Sequence, residues 1–218
     1  MRIELSGGVP AELCRPTNGE ARGGLAIAPD IGGLRPLFHE MAQRIADEHQ
    51  LTVVAVEPFP GQELPTLEDR FAAMGRLNDE AVLRGLAEGA DATEQSRVSL
   101  IGFCMGGMYT LKAAGLGRFA RCVAFYGMIK VPADWRGSGQ GEPLEYLGRP
   151  GVSPTLAIVG GKDPYTPPDD VAELEARSVS VARYPEAEHG FVHDPSRPIH
   201  RADDAADAWR RCFDFLGV

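Results

Sequence analysis

Cysteine is scarce in this sequence. The 218 residues carry four, Cys14, Cys104, Cys122 and Cys212, and no two stand at Cys-x-x-Cys spacing. That removes zinc-ribbon and thioredoxin-type sites and leaves four thiols expected to be free in a reducing compartment. No run approaches the roughly 18 consecutive apolar residues of a membrane span, and Met1-Arg2-Ile3-Glu4-Leu5 is no apolar leader, so a cytoplasmic location away from membranes is expected. Basic side chains are outnumbered, 22 Lys and Arg against 31 Asp and Glu, for a net charge of −9. Nucleic-acid binders present a basic face, so that class is set aside. Repeats, low-complexity tracts and heptads are also missing, and a monomer is expected. With 44% hydrophobic and 24% charged residues, the chain has the composition of a folded globular protein. Its length fits one domain spanning residues 1–218.

Short apolar runs alternate with longer segments of helical period. The runs at 25–28, 51–56, 98–101, 122–126 and 155–159 are apolar on both alternating faces, as in strands covered by helices on both sides. A sixth run lies at 179–184, and helices are expected near 35–49, 78–91, 105–117, 167–176 and 201–216. This succession predicts an α/β fold with a mostly parallel central sheet and helices on both faces. Residues 2–15 read as an antiparallel edge pair, turned at Gly7-Gly8. Residues 59–77 and 128–154 fit neither period and read as binding loops or as surface decoration.

The stretch Ser99-Leu100-Ile101-Gly102-Phe103-Cys104-Met105-Gly106-Gly107 carries the chemistry. A buried strand runs into Gly-x-Cys-x-Gly-Gly and then into a helix, the arrangement of a nucleophile elbow with sulfur in place of serine oxygen. So sharp a reversal strains the nucleophile's backbone, and glycines let neighbouring chain approach. The helix N-terminus beside Cys104 favours a thiolate. The competing interpretation is a buried packing cysteine with glycines serving only close contact.

A cysteine nucleophile needs a base and the base an orienting acid. In α/β-hydrolases the chain order is nucleophile, acid, histidine. Gly160-Gly161-Lys162-Asp163 follows the strand at 155–159, and Glu186-Ala187-Glu188-His189-Gly190-Phe191 follows the run at 179–184. Both sit at carboxyl ends of strands, where ligands gather in parallel sheets. The inferred triad is Cys104, His189 and Asp163, although Asp163 alone could be a turn former. His193 and Asp194 raise a metal alternative, but Pro195 and Pro198 oppose the helix that would bring histidines four apart together, so neither metal nor cofactor is expected. The first core strand ends in Ala28-Pro29-Asp30-Ile31-Gly32-Gly33. A loop here supplies one oxyanion amide and the residue after the nucleophile the other, making Ile31 and Met105 the candidates. Asp30 itself is either close to Cys104 or simply a turn residue.

The elbow Gly102-Phe103-Cys104-Met105-Gly106-Gly107 and the loop Glu188-His189-Gly190-Phe191 together resemble those of the dienelactone hydrolase family, the carboxymethylenebutenolidases, in the α/β-hydrolase superfamily. The resemblance runs from the first core strand to the closing segment Asp207-Ala208-Trp209-Arg210. It implies hydrolysis of a lactone or small carboxylic ester through a thioacyl-enzyme. It gives Cys104, His189, Asp163, Ile31 and Met105 the roles above and makes Asp30 the acid that helps activate the sulfur, where the best-known members carry glutamate. Family members that open dienelactone hold its carboxylate with arginines. Arg35, Arg70, Arg197 and Arg201 are available here, while His193 stands shortly after the histidine loop where an arginine can sit. Arg70, His193 and Arg197 are the candidate substrate-binding residues. An imidazole suits a carboxylate less well than a guanidinium fork, so a substrate other than dienelactone is expected. The alternatives are a broad carboxylesterase or thioesterase, a non-catalytic ligand binder of the same fold, and a redox-responsive thiol protein with Cys122 as resolving partner.

Overall fold

Strands apolar on both faces must be covered twice, and that requirement shapes the molecule. The computed structural model describes residues 1–59 and 61–218. Its eight strands are β1 (Arg2–Leu5), β2 (Val9–Cys14), β3 (Gly24–Ala28), β4 (Thr52–Val56), β5 (Val98–Phe103), β6 (Cys122–Phe125), β7 (Thr155–Gly160) and β8 (Ser180–Tyr184). They form one sheet in the order β1-β2-β4-β3-β5-β6-β7-β8. β1 and β2 form the expected antiparallel pair, with β2 antiparallel to β4, and every pairing from β4 to β8 is parallel. Every residue of β3 to β7 is buried, whereas the edge strand β8 alternates with solvent.

Seven helices accompany the sheet among the described residues: α1 (Pro36–His49), α2 (Leu67–Ala73), α3 (Asp79–Ala92), α4 (Met105–Ala114), α5 (Pro143–Tyr146), α6 (Pro168–Glu175) and α7 (Ala202–Leu216). Alternation along the strands divides the interior into two cores. Leu25, Ile27, Val53 and Ala55 face α1 and α7 through Phe38, Met41, Ile45, Ala208 and Cys212. Ala26, Ala28, Val54 and Val56 face α3, α4 and α6 through Val82, Leu86, Met108, Val171 and Leu174. The fold is that of an α/β sheet doubly covered, as the succession of elements predicts.

The two segments without a clear period contain short helices. Thr66 caps α2 by accepting the Asp69 amide at 3.1 Å, and Asp69 accepts the Thr66 amide at 3.2 Å. Such a capping box holds a two-turn helix too short to show an apolar stripe. Pro60 of this segment lies outside the described residues. The helix expected to run to residue 117 closes at Ala114 and leaves through a turn in which Gly117 takes a positive φ of 63°.

Lys112 braces α4 from the buried side, donating to Asp79 of α3 at 2.8 Å. The second Asp79 oxygen accepts from the Gly141 amide and the Tyr146 hydroxyl. Burial pulls the Lys112 pKa down, and the Asp79 carboxylate is the main group opposing that loss, with smaller help from Glu142 and Glu145. Removing one partner of such a pair strands the other charge. Asp79→Ala is expected to cost about 3–5 kcal/mol in urea denaturation, while Asp79→Ala combined with Lys112→Met restores most of it.

Candidate active site

At the carboxyl end of β5, Cys104 has φ 55° and ψ −118°, a backbone conformation non-glycine residues rarely adopt. Strain of this kind costs about 1–3 kcal/mol and persists only where surroundings impose it. Here the Cys104 amide donates to the Phe125 carbonyl at 3.1 Å, and its carbonyl accepts from Met108 at 3.0 Å. A Cβ on Gly106 would collide with the carbonyls of Ala28 and Pro29, and one on Gly102 with the Gly106 carbonyl and the Thr110 hydroxyl. α4 is thus pressed against the ends of β3 and β5, and the bend aims a half-buried sulfur into the cleft.

His189, in the loop after β8, bonds through Nδ1 to Asp163 Oδ2 at 2.8 Å. Asp163 follows β7 and is buried; its other oxygen accepts the Tyr165 amide at 2.9 Å. The carboxylate assigns the ring proton to Nδ1, leaving Nε2, which is buried and has no hydrogen-bond partner among the described residues. Tyr126 and Tyr165 flank the imidazole edge-on at 5.3 and 5.0 Å. Burial opposes protonation of His189. The Asp163 hydrogen bond and the neighbouring Cys104 sulfur outweigh it and push the pKa up to about 10. Of the three residues inferred as a triad, His189 and Asp163 are hydrogen-bonded, and Cys104 lines the same cleft as His189.

Asp30 is buried nearby, but its oxygens are fully engaged. Arg35 grips both, at 2.6 and 2.8 Å, the Gly32 amide donates to Oδ1 at 2.8 Å, and His193 Nε2 approaches Oδ2 at 2.8 Å. The other His193 nitrogen, Nδ1, lies 2.5 Å from the Tyr126 hydroxyl. Both ring nitrogens of His193 are thus engaged, Nε2 by Asp30 and Nδ1 by Tyr126. Its ring packs beside Phe103 and Phe38 at 5.1 and 5.9 Å. Burial alone would raise the Asp30 pKa; the His193 and Arg35 hydrogen bonds reverse this and hold it well below the usual carboxylate range. The loop so anchored carries Ile31, whose amide makes no hydrogen bond among the described residues. Met105 opens α4, so its amide has no carbonyl one turn back.

A cleft of about 600 Å³ joins these groups. Arg70, His193 and Arg197 all line it. Arg70 is already paired with Glu57 at 2.8 Å, while Arg197 is exposed and makes no ion pair among the described residues. Arg201 is not part of the cleft and pairs with Asp204 on the surface. Sequence reasoning missed Glu57 and Tyr126. Each immediately follows a core strand at its carboxyl end, a positional signal that would have found both. Among the described residues no three of His, Cys, Asp and Glu gather as a metal site. Cys122 pairs in register with Leu100, four residues before Cys104, so the two sulfurs belong to regions roughly 13 Å apart along the strand. That distance removes Cys122 as a resolving thiol.

The profile described as the dienelactone hydrolase family matches residues 9–218. The chain belongs to that family. It is a dienelactone hydrolase-like enzyme, a hydrolase of carboxylic esters or lactones with the α/β-hydrolase fold. It is 27% identical to Carboxymethylenebutenolidase 2 of Cupriavidus pinatubonensis, over 90% of this chain and 86% of the relative. A probable 2-oxo-3-(5-oxofuran-2-ylidene)propanoate lactonase of Bradyrhizobium sp. is also 27% identical, over 94% of this chain and 88% of the relative. Among solved structures, a dienelactone hydrolase-like promiscuous phosphotriesterase from metagenomic libraries superposes with a TM-score of 0.76 at 21% identity, covering 100% of this chain and 96% of that one. No helix of the described residues is long and apolar enough to cross a membrane.

Raising the His189 pKa above its unfolded value of about 6.5 has a defined consequence for stability. The contribution is fully present below pH ~6.5 and is lost as the pH rises through about 10. Proton NMR of the imidazole is expected to show a midpoint well above 6.5 in the native enzyme, falling in Asp163→Asn; an unchanged midpoint in that variant would exclude Asp163 as the cause.

Proposed function

We propose that this dienelactone hydrolase family member cleaves a small-molecule ester or lactone through a Cys104-His189-Asp163 triad and a thioacyl-enzyme. One observation carries the proposal: a histidine bonded to a buried aspartate leaves its second nitrogen unpartnered in the cleft that contains an elbow cysteine. The Cys104 sulfur, its proton held by His189, attacks the carbonyl carbon, and the carbonyl π pair moves onto oxygen. The amides of Ile31 and Met105 stabilise that oxyanion. As the carbonyl re-forms, the ester C–O bond breaks and His189 gives its Nε2 proton to the leaving oxygen. In a lactone the freed oxygen stays attached to the acyl group. Water then attacks the thioester while Nε2 takes its proton, the C–S bond breaks, and the sulfur is regenerated beside protonated His189. Asp163 holds the ring through both steps.

Within this mechanism Asp30 does a different job from the one the resemblance implies. A carboxylate already accepting from Arg35, His193 and the Gly32 amide has little capacity left for the Cys104 proton. Asp30 instead holds the loop that presents the Ile31 amide, and His189 supplies activation of the sulfur. Residues 1–218 act as one hydrolase domain, as a monomer in the cytoplasm. Pairing of Arg35 and Arg70 inside the protein favours a carboxylesterase of neutral substrates over a hydrolase selecting dienelactone.

Cys104→Ala and His189→Ala are each expected to lower turnover of small aryl esters roughly 10³-fold or more, with a Cys104 acyl adduct trapped by mass spectrometry in the wild type. Undiminished turnover in Cys104→Ala would remove the nucleophile assignment. Asp30→Asn is expected to lower kcat while leaving the pH midpoint of Cys104 alkylation by iodoacetamide in place. A midpoint displaced by a full pH unit would return the activating role to Asp30.

A further inference from the structure

The cleft pairs largely committed charges with an open apolar mouth. Of the large apolar side chains exposed among the described residues, Met1 and Val218 stand at the ends of the sequence and Leu116 stands apart from the cleft. The other three, Leu67 at 57% exposure, Phe71 at 49% and Tyr165 at 41%, all line this one cleft. Trp135 lies behind Phe71, with ring centroids 6.1 Å apart. Exposed apolar surface gathered beside a reactive sulfur marks a surface that a ligand covers.

Most of the groups able to meet a carboxylate have partners already. Arg35 commits two nitrogens to Asp30. Arg70 gives Nη1 to Glu57 and Nε to the Leu64 carbonyl. Both nitrogens of His193 are engaged, by Asp30 and by Tyr126. A substrate carboxylate placed against Arg35 or Arg70 would lie beside Asp30 or Glu57, in repulsion within a partly dry site. Arg197 makes no ion pair, but it is exposed, and Asp194 lines the same cleft. A lone cation in open water holds a carboxylate only weakly.

We propose that the substrate is a neutral ester or lactone whose aromatic or alkyl portion rests on Leu67, Phe71, Trp135 and Tyr165, and that a substrate carboxylate is selected against. The inference rests on the Cys104 mechanism proposed above. A near-isosteric pair tests it: phenyl butyrate and monophenyl succinate differ in carrying a terminal methyl or a terminal carboxylate. The wild type is expected to favour phenyl butyrate by about tenfold or more in kcat/KM. Phe71→Ala and Leu67→Ser are expected to raise KM for phenyl butyrate roughly threefold to tenfold, the loss falling on KM rather than kcat, with Cys104 alkylation by iodoacetamide as fast as in wild type. A preference for monophenyl succinate that disappears in Arg197→Ala overturns the inference, as does an unchanged KM in both α2 variants. Enzyme-dependent hydrolysis, above the spontaneous rate of each ester, that survives Cys104→Ala overturns the underlying mechanism, whichever substrate is preferred; enzyme-dependent turnover of neither ester by the wild type overturns both.

Discussion

Backbone contact between α4 and the ends of β3 and β5 governs the geometry of the site. Gly106 lies against the carbonyls of Ala28 and Pro29 where a methyl group would not fit, and Gly102 lies equally close to Gly106 and Thr110. With the helix held so near the sheet, the chain turns within a single residue, and Cys104 takes the positive φ that the turn demands. The same contact brings the start of α4 beside the loop after β3, so that the Met105 and Ile31 amides belong to neighbouring segments. The positions of the Cys104 sulfur and of these amides are then set by backbone.

Around this turn the protein manages its buried charges by pairing them. Asp163 is compensated by His189 and the Tyr165 amide, Asp30 by Arg35, His193 and the Gly32 amide, and Glu57 by Arg70 and the Leu34 amide. Each carboxylate would be costly to bury alone. Their partners differ in what they leave available. His189 retains a second nitrogen with no bond among the described residues, whereas both nitrogens of His193 are occupied. Two histidines four positions apart in one loop thereby have different surroundings, one with a ring nitrogen left open and one with both nitrogens bonded. Tyr126 links them, packing on the first ring and bonding the second.

Much of this was legible in the residues. Alternation of apolar runs with helical segments determined an α/β sheet, because strands buried on both faces leave no polar face to mistake. Gly-x-Cys-x-Gly-Gly determined the elbow, because only glycines tolerate the approach that Gly102 and Gly106 make. The order Cys104, Asp163, His189 placed all three at strand ends, and the fold brings those ends to one edge. The short helix α2 was not legible: seven residues held by a capping box show no stripe, and its large apolar side chains, Leu67 and Phe71, face the cleft rather than a core.

Pairing among the polar groups was decided only in three dimensions. Asp30 and His193 are 163 positions apart in sequence, and Tyr126 and His193 are 67 apart, so no local pattern could state that they share one chain of hydrogen bonds. Whether an arginine is free for a substrate or spent on Asp30 or Glu57 depends on which loops the sheet places side by side. Residue types and their order determine the available chemistry, since backbone periodicity and glycine sterics are local. Assignment of each charge to its partner is a tertiary matter, because electrostatic and hydrogen-bond energies depend on distances that only the folded chain creates.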